Sequence, residues 1–284
     1  MKSEHALISV FDHGFLYGDG VYETLRSYGH RLFMCEQHLA RLFRSAEAIG
    51  LAIPIPGNCW TKLLHEAMER NQVGNERQDA YLRITVSRGA GDIGLDPALC
   101  PSPTVVIMAK PLTAPARDLY ERGVDLIIAG TRRNFPEALP PRIKATSFLN
   151  NILAKREATA TGAFDSILLN RDRHLTECTV SNLFFVTDGV LCTPSVDCGL
   201  LDGLTRAIIM QLAGELGIGI EEGRFTPDEL YRATECFLTN TSMEIMPVAS
   251  VDRRGIGKGM PGPVTRELQG RFVGARDRFL EQAS

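Results

Sequence analysis

The chain has 284 residues, with 31 Lys and Arg against 34 Asp and Glu, a formal net charge of -3, 44% hydrophobic and 23% charged residues. That balance gives no basic footprint for nucleic acid or an anionic bilayer, and it points to small or neutral partners. Length and composition suit a soluble globular protein whose core is filled in one large or two modest domains.

In chain order, MKSEHALISV lacks the apolar core of a signal peptide. Residues 21–28 alternate like a strand, and 36–49 carry a helical apolar stripe at Leu39, Leu42, Phe43 and Ala46 that Gly50 can end. A second helix is predicted over 58–70. Residues 80–88 alternate again, and 104–109 form a continuous apolar run bounded by prolines, which predicts a buried strand. The proline-punctuated stretch 111–115 is the best linker candidate, and 120–129 opens a second unit. Beyond it come a hairpin around Asn170 to His174, a helix marked by Leu204, Ile208, Leu212 and Leu216 and closed by Gly217, and a strand at 235–239 leading into TNTSMEIMPV. No segment approaches a membrane-spanning length.

Residues 140–158, PPRIKATSFLNNILAKREA, read as strand, tight turn and helix, with Lys144 on the last rung of the strand and Phe148, Leu149, Ile152 and Leu153 on one helix face. Lysine is scarce: only Lys2, Lys62, Lys110, Lys144, Lys155 and Lys258 occur. A following helix N-terminus disfavours a cation at Lys144, and burial favours the uncharged amine, a nucleophile toward carbonyls. A solvated strand end fits the same residues.

Two further signals weigh on that choice. Gly203-Leu204-Thr205 opens an amphipathic helix whose free N–H groups and Thr205 hydroxyl suit a phosphate, or a simple cap. Glu177, between a turn and an apolar strand, would need a charged partner, whether a pyridinium nitrogen or a local salt bridge. An amine, a phosphate cradle and an acid in order along one domain are the supports that pyridoxal phosphate requires.

In the first part, Tyr22, Thr24, Arg26 and Tyr28 share one strand face and Tyr81, Arg83, Thr85 and Ser87 another, opposite the apolar faces. Such faces suit either solvent or a substrate carboxylate.

Other motifs carry less. RGAGDIG matches G-x-G-x-x-G, but LDPALCPSP follows and cannot open the helix of a dinucleotide site. The 6 histidines show no ligand spacing, so no metal site is expected. The 7 cysteines form no CxxC pair, which predicts reduced thiols and a cytoplasmic protein.

The stretches FDHGFLYGDGVYETLR, HLARL, YLRITVSRGAGDIGLDP, RIKATSFLNNILAKREA, LTECTVSNLFFV, GLTRAII and TNTSMEIMPV resemble the fold-type IV pyridoxal-phosphate enzymes over about residues 10–264. These comprise branched-chain aminotransferases, D-amino-acid aminotransferases and 4-amino-4-deoxychorismate lyases. The resemblance implies a two-domain α/β (α+β) fold, a small α/β domain plus a larger pseudobarrel domain. Here they are expected at 1–111 and 120–284, joined by a linker at 112–119, with pyridoxal 5'-phosphate between them and a homodimer completing the pocket.

By the same resemblance Lys144 is the catalytic Schiff-base lysine and proton shuttle, and Glu177 pairs with the pyridine nitrogen. Arg41, which falls off its helix's apolar stripe and by itself reads as solvated, matches the phosphate-binding arginine. Leu204, Thr205 and Thr241 would add cofactor contacts, and Tyr17, Tyr22, Thr24, Arg26, Tyr81, Arg83 and Ser242 would face substrate.

The chain departs from the branched-chain pattern at Leu149, where a tyrosine is usual, and at Thr24, where a glycine is usual. It also begins just before SVFDHG without the family's usual first strand, which points to a shortened chain or an open sheet edge. The Arg-x-His carboxylate trap of D-amino-acid enzymes is missing from RGAGDIGLDP, whereas the SRGAG-like loop and Asn240 beside Met243 are shared with the lyases. The activity expected is transfer of the amino group of branched-chain or similar L-amino acids to 2-oxoglutarate, with amino and 2-oxo acids as partners. The lyase, the D-specific transaminase and an inactive cofactor-binding scaffold are the alternatives.

Overall fold

The computed structural model describes residues 5–76 and 78–280. The chain forms two compact units, one from the residues up to Leu112 with Ile143–Phe148, the other from Thr113–Arg142 and Leu149–Leu280. The segment carrying Lys144 therefore returns to the first unit.

The first unit contains α1 (His13–Tyr17), β1 (Gly20–Tyr28), β2 (Arg31–Leu32), α2 (Cys35–Ala48), α3 (Trp60–Arg70), β3 (Ala80–Ser87) and β4 (Thr104–Pro111). The strands make an antiparallel sheet in the order β2-β1-β3-β4. Strand alternation sends Val21, Leu25, Leu82, Ile84 and Val86 to one face, where they are fully buried with Leu42, Trp60 and Leu64 of α2 and α3. Each such aliphatic side chain stabilises the unit by about 1.5–3 kcal/mol. On the opposite face the register sets Tyr22 against Thr85, Thr24 against Arg83 and Arg26 against Tyr81.

Two expectations change in this unit. The run 104–109 is not a buried strand: β4 is the sheet edge, only Ala109 is buried, and Met108 is half exposed, because an edge strand has a neighbour on one side only. Nor is Lys144 on a strand. Residues 140–148 form a turn and a strapped loop touching β1 through a single bridge, Val21 to Ala145. Pro140 and Pro141 cannot donate to a ladder, which keeps the segment from pairing further.

The second unit contains α4 (Arg117–Arg122), β5 (Val124–Arg132), α5 (Leu149–Thr161), β6 (Asp165–Leu169), β7 (Leu175–Cys178), β8 (Asn182–Thr187), β9 (Val190–Pro194), α6 (Leu204–Glu215), β10 (Ile220–Gly223), α7 (Pro227–Tyr231), β11 (Glu235–Asn240), β12 (Glu244–Val251), β13 (Arg254–Gly255) and α8 (Pro263–Ala275). Its nine-stranded sheet runs β10-β9-β8-β11-β12-β5-β6-β7, with β13 paired off this path onto β12, and β7 pairs back onto β8, closing a barrel-like ring. Phe184 and Phe237, directly opposed on β8 and β11, stack at 5.1 Å. Such a pair contributes about 0.5–1.5 kcal/mol beyond its buried area.

The apolar stripe expected to bury α5 is on its outer side: Leu149, Ile152 and Leu153 are 68%, 56% and 39% exposed. Ala154 and Ala158 face inward instead, and Ala154 packs with Ala129 of β5 and Leu168 of β6. Small side chains let the helix lie close on the sheet, which leaves no room for the large ones beneath it. Helix α4 starts inside the stretch read as linker. Among the described residues all seven cysteines are unpaired, and no helix is long and apolar enough to cross a membrane.

Candidate active site

Lys144 is fixed by its backbone. Its N–H donates to Ser45 Oγ (3.2 Å), and its carbonyl accepts from Tyr22 N (2.9 Å). Two residues on, Thr146 N donates to Gly20 O (2.9 Å) and Thr146 Oγ1 to Gly18 O (2.8 Å). The Nζ then lies 4.6 Å from the centroid of the Tyr22 ring, whose neighbours are the Arg83 guanidinium at 3.9 Å and the Phe148 ring at 5.1 Å. An aromatic face beside an amine and a guanidinium holds both cations by their charge.

The rest of the polar sheet face sorts itself by partner. Arg26 is buried, ion-paired with Asp79 (2.8 Å) and laid over Tyr28, so its guanidinium is engaged within the sheet. Arg83 donates to Thr85 Oγ1 (3.2 Å) and has no carboxylate partner among the described residues. Thr24 Oγ1 and Tyr81 OH are 3.4 Å apart. Tyr17 accepts from Gly94 N (3.2 Å), and His13 Nε2 donates to Asp92 O (2.9 Å), so α1 fastens the RGAGDIG loop at two points. That loop is followed only by a three-residue 3-10 turn, Pro97–Leu99, and no helix suited to a dinucleotide.

Beneath this face is a cluster that the strand pattern conceals. Glu23 shares the core side of β1 with Val21 and Leu25 and is fully buried. Arg41 Nε and Nη2 reach its two oxygens at 2.6 and 3.0 Å, and His38 Nδ1 meets Oε2 at 2.8 Å. Arg41 is therefore not solvated, as its place off the apolar stripe suggests: it is 7% exposed, because a buried carboxylate one strand away supplies its counter-charge. His38 and Arg41, three apart on α2, face the strand together.

The protonation pattern follows from this geometry. Burial would raise the Glu23 carboxyl, yet Arg41 and His38 hold it well below the usual carboxylate range. An ionised carboxylate only accepts, so the His38 Nδ1 carries the proton. Burial also pushes the His38 imidazole below its ordinary value; Glu23 opposes this, while Arg41 and Lys144 reinforce it. A neutral His38 with its proton on Nδ1 leaves Nε2 bare, and that buried atom has no hydrogen-bond partner among the described residues. An orphaned acceptor of this kind costs on the order of 1–3 kcal/mol.

One pH dependence results. The unfolded histidine, with a value near 6.5, binds a proton that the folded one resists. His38 thus contributes stability above that value and loses it as pH falls, with a slope of up to about 1.4 kcal/mol per unit. Urea titrations from pH 8 to 5 should show His38→Asn flattening the acid-side decline; an unchanged slope would mean that His38 does not titrate on unfolding.

In the second unit Glu177 is buried on β7. Its Oε1 is 2.8 Å from Arg133 Nη2, and its Oε2 accepts from Leu201 N (3.1 Å) and Asn182 Nδ2 (3.5 Å). Arg133 also donates to Asn150 and Asn151 at the start of α5. Arg133 escapes a reading of TRRNFPEALP because no periodicity singles it out; two adjacent arginines leaving a strand ahead of a proline are the sole signal.

Helix α6 begins at Leu204 with Gly203 as N-cap and no side-chain capping bond. A Cβ on Gly203 would fall 1.9 Å from Asn182 Oδ1, so a larger residue would have to push aside the amide that donates to Leu201 O. Thr205 is buried in the first turn. Thr241 and Ser242 sit in the turn between β11 and β12, which Asn240 Oδ1 closes by accepting from Ser242 N and Met243 N. Taken unit by unit, these groups fit what the resemblance implies: the uncapped N-terminus of α6 suits a phosphate, and in the first unit the buried Arg41 is a cation beside an unsatisfied His38 nitrogen.

The chain matches the family model for amino-transferase class IV over residues 20–251. Among relatives, it is 39% identical to a Methanocaldococcus jannaschii protein provisionally named a branched-chain-amino-acid aminotransferase, over 98% of this chain and 94% of the relative. It is 35% identical to a D-alanine aminotransferase of Bacillus licheniformis (95% and 92% covered) and 33% identical to an aminodeoxychorismate lyase of Bacillus subtilis (95% and 89%). Among solved structures, the branched-chain amino acid aminotransferase of Escherichia coli superposes with a TM-score of 0.94 at 31% identity, covering 99% of this chain and 96% of that one. The T.th. branched-chain amino acid aminotransferase with pyridoxamine 5'-phosphate gives 0.93 at 30% identity, covering 99% and 95%.

Proposed function

Because the chain belongs to the class IV aminotransferases, we propose that it is a pyridoxal-phosphate transaminase moving the amino group of branched-chain or similar L-amino acids to 2-oxoglutarate. The observation that carries the choice of substrates is Arg83: a guanidinium without a carboxylate partner among the described residues, stacked on the Tyr22 ring that also borders Lys144. It can fork the distal carboxylate of glutamate in one half-reaction. The Tyr17, Tyr22 and Tyr81 rings then offer an apolar side chain their faces in the other.

The cofactor supplies an aldehyde and a ring that withdraws electrons from the substrate's α-carbon. Lys144 Nζ would bind the aldehyde and would serve as the base that takes the substrate's α-proton and returns it. Glu177, held by Arg133, would be the carboxylate that accepts from the ring nitrogen and favours its protonated form. By the resemblance, Arg41 of the first unit would hold the phosphate, and in the second unit so would the Leu204 and Thr205 amides, the Thr205 hydroxyl and the Thr241 hydroxyl. By the resemblance Thr24 and, in the second unit, Ser242 would each face substrate, while Arg26, tied to Asp79, shapes the sheet face. A homodimer is the assembly that the resemblance implies; a monomer mass in light scattering would remove that part of the proposal.

The lyase is the second reading. It is favoured by the Bacillus subtilis relative and by the hydroxyl pair of Thr24 and Tyr81, which makes the pocket wall more polar than a branched side chain requires. Offering L-leucine, D-alanine and aminodeoxychorismate separately while following the cofactor spectrum decides the matter. L-leucine should convert the bound cofactor to its amine form. Conversion by D-alanine alone would overturn the stereochemical choice, pyruvate release without amino transfer would establish the lyase, and no response to any would leave a binding scaffold. Arg83→Leu should raise KM for glutamate about 10–100-fold, as expected for a lost charge-assisted pair of about 1.5–3 kcal/mol. L-leucine should be nearly unaffected, and equal losses for both would deny Arg83 its selective role.

A further inference from the structure

The phosphate-binding role of Arg41, on which this step rests, leaves the orphaned His38 nitrogen unexplained. His38 and Arg41 share one carboxylate, Glu23, so the imidazole is fixed by the same group that orients the guanidinium. The charged groups facing His38 are Glu23 from β1, Arg41 from its own helix and Lys144 from the strapped loop. With the single negative charge already shared between two partners, these residues by themselves carry an excess of positive charge, and the imidazole stays neutral with Nε2 bare. A phosphate dianion reverses that balance, since it adds two negative charges beside Arg41 in a buried, weakly screening environment.

We propose that His38 takes up one proton from solvent when a phosphate monoester binds at Arg41, its Nε2 changing from a bare lone pair to an N–H donor while Nδ1 keeps its bond to Glu23. The bookkeeping is simple: one N–H bond forms on Nε2, one proton leaves bulk buffer, and no other bond changes. The bound imidazolium then answers Glu23 on one side and the anion on the other, so the orphaned atom gains a role only in the loaded protein. Binding should weaken as pH rises through the loaded-state value of His38, by up to about tenfold per pH unit, the limit for one linked proton.

Pyridoxamine 5'-phosphate is the probe, because its amine cannot condense with Lys144. At pH about 7.5 its phosphate, with a second pKa of about 6, is already a dianion. Calorimetric titrations of the full chain in buffers of differing ionisation enthalpy should show proton uptake. His38→Asn, whose amide can still donate to Glu23, should lose it. Nitrogen NMR of the wild-type protein should show Nε2 bare before binding and protonated after. Bound ligand with Nε2 still bare, or equal uptake by both proteins, would overturn the inference while leaving Arg41 its phosphate. Absence of binding, with no pyridoxyl adduct on the Lys144 peptide after borohydride treatment with pyridoxal phosphate, would overturn the reading beneath it. Should His38→Asn fail to fold, the wild-type nitrogen spectrum alone decides.

Discussion

Lys144→Ala is expected to abolish measurable transamination between L-leucine and 2-oxoglutarate. A positioned base is worth about 10²–10⁴-fold in rate, and this one is positioned by its backbone, with both polar groups of residue 144 bonded to Ser45 and Tyr22. Truncating the side chain leaves those bonds intact. The variant should therefore fold, keep its far-ultraviolet spectrum and bind pyridoxamine 5'-phosphate, losing only the amine to which we assign transfer of the α-proton. Lys144→Arg should fail equally, since a guanidinium does not deprotonate in this range. Single-turnover mixing of cofactor, variant and L-leucine provides the check. Activity above about 1% of wild type, the least loss that the base contribution allows, would show that another group moves the proton.

Periodicity made the regular elements legible. Alternation at 21–28 and 80–88 became β1 and β3, and the four-residue spacing from Leu204 became α6 with Ile208 and Leu212 buried. Periodicity also misled where packing overrode it. On α5 the large apolar residues and the alanines both repeat at helical spacing, and the closer approach that alanine allows decided which side faces the sheet. The strap carrying Lys144 looked like a strand because prolines and Ile143 favour extended backbone, but extended backbone without donors makes one bridge and stops. Glu23 was readable in principle, as a carboxylate in step with Val21 and Leu25. Its partners, however, lie 15 and 18 residues away on another element, and only their closeness to its oxygens makes the position sensible. Arg133 and Glu177, 44 positions apart, illustrate the same limit: pairing across a sheet leaves no local trace.

Glu23→Gln is expected to destabilise the chain by about 3–5 kcal/mol, the usual cost of leaving one member of a buried ion pair uncompensated. The amide can still accept from His38 or from one Arg41 nitrogen, but it cannot accept from both edges of the guanidinium or offset its charge. The sign with pH is fixed by the depressed Glu23 carboxyl. Its ionised form contributes stability above the ordinary value of about 4.3, and that contribution is lost as pH falls toward the folded-state value. The gap between wild type and Glu23→Gln should therefore be full at pH 7 and narrow only in strong acid, whereas the gap produced by His38→Asn changes near pH 6. Glu66→Gln, which breaks the exposed Arg70 pair on α3, is the matched control and should shift the urea midpoint within error. If Glu23→Gln were equally silent, water would have to reach Arg41 and solvate it, and the buried clamp that orients this arginine would not exist as a stabilising unit.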